Sequence, residues 1–83
     1  MAIFAEFAAC KVSGASADSA EAQALVAKLQ AHITANYYTC TDEILAGLGQ
    51  MYVADERFKR NIDKNGEGTA EFVAVSIAKH SRK

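Results

Sequence analysis

The chain has 83 residues, nine basic and ten acidic side chains and a formal net charge of −1. That balance argues against duplex nucleic-acid binding by this segment itself, which needs a basic face to displace counterions. The length suits one small domain, residues 1–83, burying roughly 60–65% of its unfolded surface, and no apolar run is long enough to span a bilayer.

Hydrophobic residues make up 51%, alanine is frequent and proline is absent, so helix is favoured over strand. No alternating apolar run reads as a half-buried strand. The expectation is an all-α fold of four to five short helices. With no signal-peptide layout, and with Cys10 and Cys40 at neither a metal-ligand spacing nor in a disulfide framework, the expected location is cytoplasmic with reduced thiols.

In the first segment, "AIFAEFAACKVSG", Ile3, Phe4, Phe7, Ala8 and Val12 recur at helical spacing, with Cys10 among them as a packed thiol and Gly14 as a stop. After the "SGASADS" loop, Asp18-Ser19-Ala20-Glu21 forms a capping pattern for a second helix. Its apolar stripe is Ala22, Leu25, Val26, Leu29 and Ile33, and His32 adjoins it as a packed or surface residue.

The third segment, "DEILAGLGQMYV", turns Ile44, Leu45, Leu48, Met51 and Tyr52 inward. Gly47 and Gly49 each cost about 1 kcal/mol inside a helix, which points to close approach by another helix or by a ligand. Asp55 is a plausible cap for the fourth helix, which carries Phe58 and Ile62 one turn apart and stops at Asn65-Gly66. Thr69 then caps a last helix facing inward through Phe72, Val73, Ser76 and Ile77, and the basic residues at its end suit a solvated helix C-terminus.

"DKNGEG" at 63–68 begins like a calcium-binding EF-hand loop, with Asp63, Asn65 and Glu67 in the first ligand positions and Gly68 at the turn. The twelfth position, which needs a bidentate glutamate, is Ala74. A helix–turn–helix joint is the plain reading, with a weak single calcium site at 63–74 as an alternative. No other metal and no cofactor is implied.

The run "NYYTCTDEILAGLGQMYVADERFKRNIDKNGEGTAEFVAVSIAKH", with "DSAEAQALVAKLQAHI" before it, resembles the TipAS antibiotic-recognition domain, the C-terminal effector domain of TipA-like transcriptional regulators of the MerR family. The resemblance covers the chain from about Ala17 to His80. It implies a globin-like helical arrangement and a cleft for thiopeptides or other hydrophobic peptide antibiotics, through which a full regulator switches resistance genes. It also implies that the thiol matching Cys40 captures the drug by adding to a dehydroalanine. The N-terminal DNA-binding region and dimerisation helix of such regulators are absent from the sequence, so DNA contact is expected only through that missing part, and the isolated domain is expected to be monomeric.

The residues give Cys40 a case of their own. If Thr39 or Thr41 caps the third helix, the helix dipole favours thiolate, while Asp42 and Glu43 oppose it, so at most a modest lowering of the thiol pKa is expected. Neither His32 nor His80 has an evident orienting partner, which argues against a Cys–His hydrolase and leaves no catalytic residues. Tyr37 and Tyr38, at a helix joint, offer aromatic faces to a flat ligand. Tyr52 and Phe58 are divided between ligand surface and core, with core the plainer reading for Phe58. The expected ligand-binding residues are Cys40, Tyr37, Tyr38, Tyr52, Met51 and Gly47. The competing class is a helical interaction domain without a drug ligand, and a large apolar cavity beside Cys40 would separate the two.

Overall fold

Five helices follow one another in the computed structural model, which describes residues 2–81, with side chains from Ile3 to His80: α1 (Ala2–Val12), α2 (Ala20–Asn36), α3 (Asp42–Ala54), α4 (Glu56–Asp63) and α5 (Thr69–Ser81). The described residues contain no strand, as the composition predicts. Three helix starts fall where local oxygen side chains place them. Ser19 accepts from Ala22 N–H at 3.2 Å, Thr41 from Ile44 N–H at 3.2 Å, and Asp55 from Arg57 N–H at 2.9 Å. Each side chain satisfies one of the N–H groups that a helix leaves open at its first turn.

The start of α5 departs from expectation. Thr69 does not cap it; its hydroxyl donates to the Gly66 carbonyl. The carboxylate of Asp63 reaches across the joint instead and accepts from Ala70 N–H at 2.9 Å. Gly68, at φ +83°, supplies the left-handed turn that lets the chain double back.

α5 is the hub, packing against each of the other four helices. Its buried face is Thr69, Ala70, Val73, Ser76 and Ile77. Ser76 turns its hydroxyl to the Phe72 carbonyl at 2.8 Å, so the polar group enters the core already satisfied. Around this helix close Phe7 from α1, Val26 and Leu29 from α2, Leu45 from α3 and Ile62 from α4. Phe72, half-buried, meets Phe7 edge-on, with ring centroids 6.4 Å apart.

Three apolar residues expected inside lie on the surface. Val12 is the last residue of α1 and Ile44 lies in the first turn of α3, where neighbouring helices no longer cover the full apolar arc. Phe58 is on α4, whose buried residue is Ile62, so its ring lies partly outside. Leu25, Leu48 and Met51 are half-buried against the core.

Candidate functional site

The joint between α2 and α3 carries the candidate thiol. Helix α2 ends at Asn36, where Tyr37 and Tyr38 both donate their N–H to the Ile33 carbonyl. Helix α3 begins after Thr41, so residues 37–41 join the two helices, with Thr39 and Cys40 inside the joint. Two side chains one turn apart on α2 hold the Cys40 backbone. Thr34 Oγ1 accepts from Cys40 N–H at 3.1 Å, and Gln30 Nε2 donates to the Cys40 carbonyl at 2.8 Å. The same Gln30 nitrogen donates to Asp42 Oδ1 at 2.9 Å, and His80 Nε2 lies 3.6 Å from that oxygen. Side chains of α2 and α5 therefore converge on the first turn of α3.

Held in this way, Cys40 turns inward and is 4% exposed, while Thr39 and Thr41 on either side are exposed. Its S–H donates weakly to the Thr41 carbonyl, 3.9 Å away. Burial raises the thiol pKa and the Asp42 carboxylate adds to the rise, so the modest lowering expected from the helix dipole is reversed in sign. Cys10 is likewise a buried free thiol with a raised pKa, first through burial and then through Glu21.

Tyr52 is the buried aromatic of this region. Its ring meets Phe4 edge-on at 5.6 Å and Phe58 at 6.1 Å. Burial, with smaller contributions from Tyr38 and Cys40, pushes its hydroxyl up to about 12. Tyr52 thus lies within electrostatic reach of Tyr38 and Cys40, with Tyr38 half out of the protein. Tyr37 is 69% exposed and its ring stands 6.3 Å from that of His32.

The other two expected ligand contacts are placed differently. Met51 packs half-buried against the core, and Gly47 faces open space, with nothing within 4 Å of where a Cβ would sit. Close helix approach belongs to Gly49 instead. Sequence reasoning missed Gln30 and Thr34, whose only local signal is their four-residue spacing on α2, and its plainer reading of Phe58, as core, does not hold, since that ring is partly exposed.

None of the five described grooves has Cys40, Tyr37 or Tyr38 in its wall. The largest, about 570 Å³, runs between α3 and α5 and is lined by Ala46, Val53, Ala74, Val75 and Ala78, together with Gln50, Lys59 and Glu71. Among the described residues no three His, Cys, Asp or Glu side chains are gathered as metal ligands, and Asp63 of the calcium-like loop is engaged as the helix cap. No described helix is long and apolar enough to cross a membrane.

The family model of the TipAS antibiotic-recognition domain matches residues 1–80. The chain belongs to that family. Two transcriptional activators are similar in sequence to this TipAS-family chain. The HTH-type transcriptional activator mta of Bacillus subtilis (strain 168) is 45% identical over 60 residues, covering 72% of this chain and 23% of the activator. The HTH-type transcriptional activator TipA of Streptomyces coelicolor is 39% identical over 71 residues, covering 86% of this chain and 28% of the activator. The TipAS-family chain thus spans about a quarter of the length of these curated relatives. Among solved structures, TipAS of Streptomyces lividans, determined in complex with nosiheptide as part of a thiopeptide multidrug resistance system, superposes with a TM-score of 0.89 at 34% identity. That likeness covers 98% of this chain and 57% of the solved one. The five-helix arrangement is therefore that of TipAS.

Proposed function

We propose that this chain is the drug-sensing effector domain of a MerR-type transcriptional regulator. It binds thiopeptide-like or other hydrophobic peptide antibiotics and acts by binding, not by catalysis. The observation that carries this reading is the likeness, at 34% identity over 98% of the chain, to a domain solved with nosiheptide bound. Promoter binding then belongs to a DNA-binding region outside this sequence, as the HTH-type descriptions of the longer relatives suggest.

Within this reading Tyr37 and Tyr38 present exposed aromatic faces, Tyr52, itself buried, backs the partly exposed ring of Phe58, and Met51 and the open side of Gly47 are further contacts on α3. Cys40 is the capturing thiol. Its thiolate adds to the β-carbon of a dehydroalanine, forming a C–S bond. The alkene electron pair moves to the α-carbon, which takes a proton from water. No redox partner is needed and nothing leaves. A drug held beside the sulfur supplies most of the acceleration through proximity.

Intact-mass spectrometry with a dehydroalanine-bearing thiopeptide tests the proposal. A stable adduct is expected, and its loss in Cys40→Ser. No adduct together with no thermal shift sinks the thiopeptide reading. That outcome would favour a helical interaction domain without a drug ligand, which one observation supports: the thiol is closed while the apolar α3–α5 groove stands open.

A further inference from the structure

Between α1 and α2 lies a groove of about 430 Å³, within the size range of small-molecule sites. Ile3 of α1 and Ala31 and Ala35 of α2 line its apolar part, and the two alanines keep the α2 surface low enough for a flat ring to lie against it. On one side Lys28 Nζ holds both carboxylate oxygens of Glu6 at 2.8 Å, so the charges there are matched within the protein. Further along α2, toward the joint with α3, stand His32 and Asn36. Asn36 Nδ2 donates to the His32 carbonyl at 2.8 Å, which identifies that atom as the amide nitrogen. It also lies 3.3 Å from His32 Nδ1 and gives its second hydrogen there. In the neutral ring Nδ1 therefore accepts and the proton sits on Nε2. None of the described hydrogen bonds takes up that Nε2–H.

We propose that the α1–α2 groove is a subsite for a flat heteroaromatic ring with an acceptor nitrogen, an azole, which lies on Ala31 and Ala35 and accepts from His32 Nε2–H. Tyr37, whose ring stands 6.3 Å from that of His32, adds an aromatic neighbour at the same end. An anionic ligand would meet the Glu6 carboxylate, while Lys28 is already committed to that carboxylate. A ring without an acceptor would leave the His32 donor unpaired. The other large grooves lack this set. The one between α3 and α5 has no aromatic side chain and no ring N–H, and the one along α4 is walled by charged groups of both signs. Azoles recur along thiopeptides, and the groove abuts Tyr37, the exposed aromatic that the proposed function assigns to the drug. A macrocycle resting on Tyr37 therefore reaches the groove with a neighbouring ring. Only this link to the antibiotic rests on the proposed function. A neutral hydrogen bond corresponds to about a fivefold difference in affinity.

Thiazole, titrated at pH 8 into the isotope-labelled full chain and followed by amide chemical shifts, tests the subsite without any antibiotic. Thiophene, the same ring without the acceptor nitrogen, is the control. Saturable shifts are expected at Ala31, His32, Ala35 and Asn36 of the wild type. The ratio of thiazole to thiophene affinity should fall about fivefold in His32→Phe, which keeps a ring and removes the donor. Ala35→Phe fills the groove and should abolish the shifts with both probes. Positions 32 and 35 are exposed on α2, so both variants are expected to fold, and unchanged amide shifts in α4 and α5 check this. The absence of saturable wild-type shifts at the four residues overturns the subsite. An unchanged affinity ratio in His32→Phe does so too, as do shifts centred on Ala74, Val75 and Ala78 of the other groove. A thiopeptide is then titrated into wild type and Ala35→Phe, with weaker binding expected in the variant. Equal binding overturns the groove as part of the drug site and leaves the antibiotic reading standing. If thiazole responds as expected but no thiopeptide binds the wild type, the azole subsite stands and the antibiotic reading falls.

Discussion

Gly49 of α3 faces Ile77 of α5 so closely that a Cβ at position 49 would lie 3.2 Å from Ile77 Cγ2 and 3.3 Å from its Cβ and Cδ1. Ile77 is buried and its Cβ is fixed to the backbone, so the contact cannot be relieved by turning a flexible side-chain end. Overpacking of this kind typically costs about 1–3 kcal/mol, while removing a helical glycine returns about 1 kcal/mol. Gly49→Ala is therefore expected to lower stability by about 1 kcal/mol. Gly47, two residues earlier, meets nothing within 4 Å, and Gly47→Ala should stabilise by up to about 1 kcal/mol. Urea denaturation of the two variants checks the opposite signs. Gly47→Ala also tests that residue as a ligand contact, since a weakened thiopeptide affinity in a more stable protein would locate the drug on the α3 backbone.

These glycines mark what the sequence disclosed. Their cost inside a helix was visible, but which one met a neighbour depended on the rotational phase of α3 against α5. Helix starts at Ser19, Thr41 and Asp55 were legible because a cap lies within three residues of the N–H it binds. The exposure of Ile44 and Phe58 was not, because cover over the flank of a short helix comes from other elements. At Cys40 the dipole and Asp42 could be read locally, but desolvation, the largest cause of its raised pKa, exists only in the packed chain. Gln30 and Thr34 act across the α2–α3 joint, and neither residue type carries a signal for that contact.

The α4–α5 joint is expected to depend on Asp63 as a cap. Its carboxylate accepts from Ala70 N–H, while Asn65 turns its amide to the Ile62 carbonyl. Asp63→Ala should cost about 1 kcal/mol, as for other lost helix caps, and Asp63→Asn, which keeps an acceptor oxygen, should lose only a few tenths. Thermal unfolding measures both. Millimolar calcium should leave the wild-type midpoint unmoved, since position 74, where an EF-hand needs its bidentate glutamate, is alanine. A calcium-dependent rise in midpoint, abolished in both variants, would reverse the assignment.

Alkaline stability should depend on Tyr52. Its ordinary value near 10 is pushed up to about 12 in the fold, chiefly by burial. The fold therefore favours the neutral hydroxyl, while the unfolded chain ionises normally. The corresponding stabilisation is fully present below pH 10 and is lost progressively as the pH rises from 10 to 12. A difference of this size corresponds to about 2–3 kcal/mol. Cys40, whose pKa is also raised, contributes a loss of the same sign, beginning above its own ordinary value of 9.0. Tyr52→Phe keeps the rings against Phe4 and Phe58 and removes the titrating hydroxyl. Urea midpoints measured across this interval should fall less steeply in Tyr52→Phe than in wild type, and Cys40→Ser should flatten the remaining slope. The order in which the two slopes disappear separates tyrosine burial from thiol burial. An undiminished slope in Tyr52→Phe would assign the alkaline loss to other groups and place the Tyr52 hydroxyl in contact with solvent.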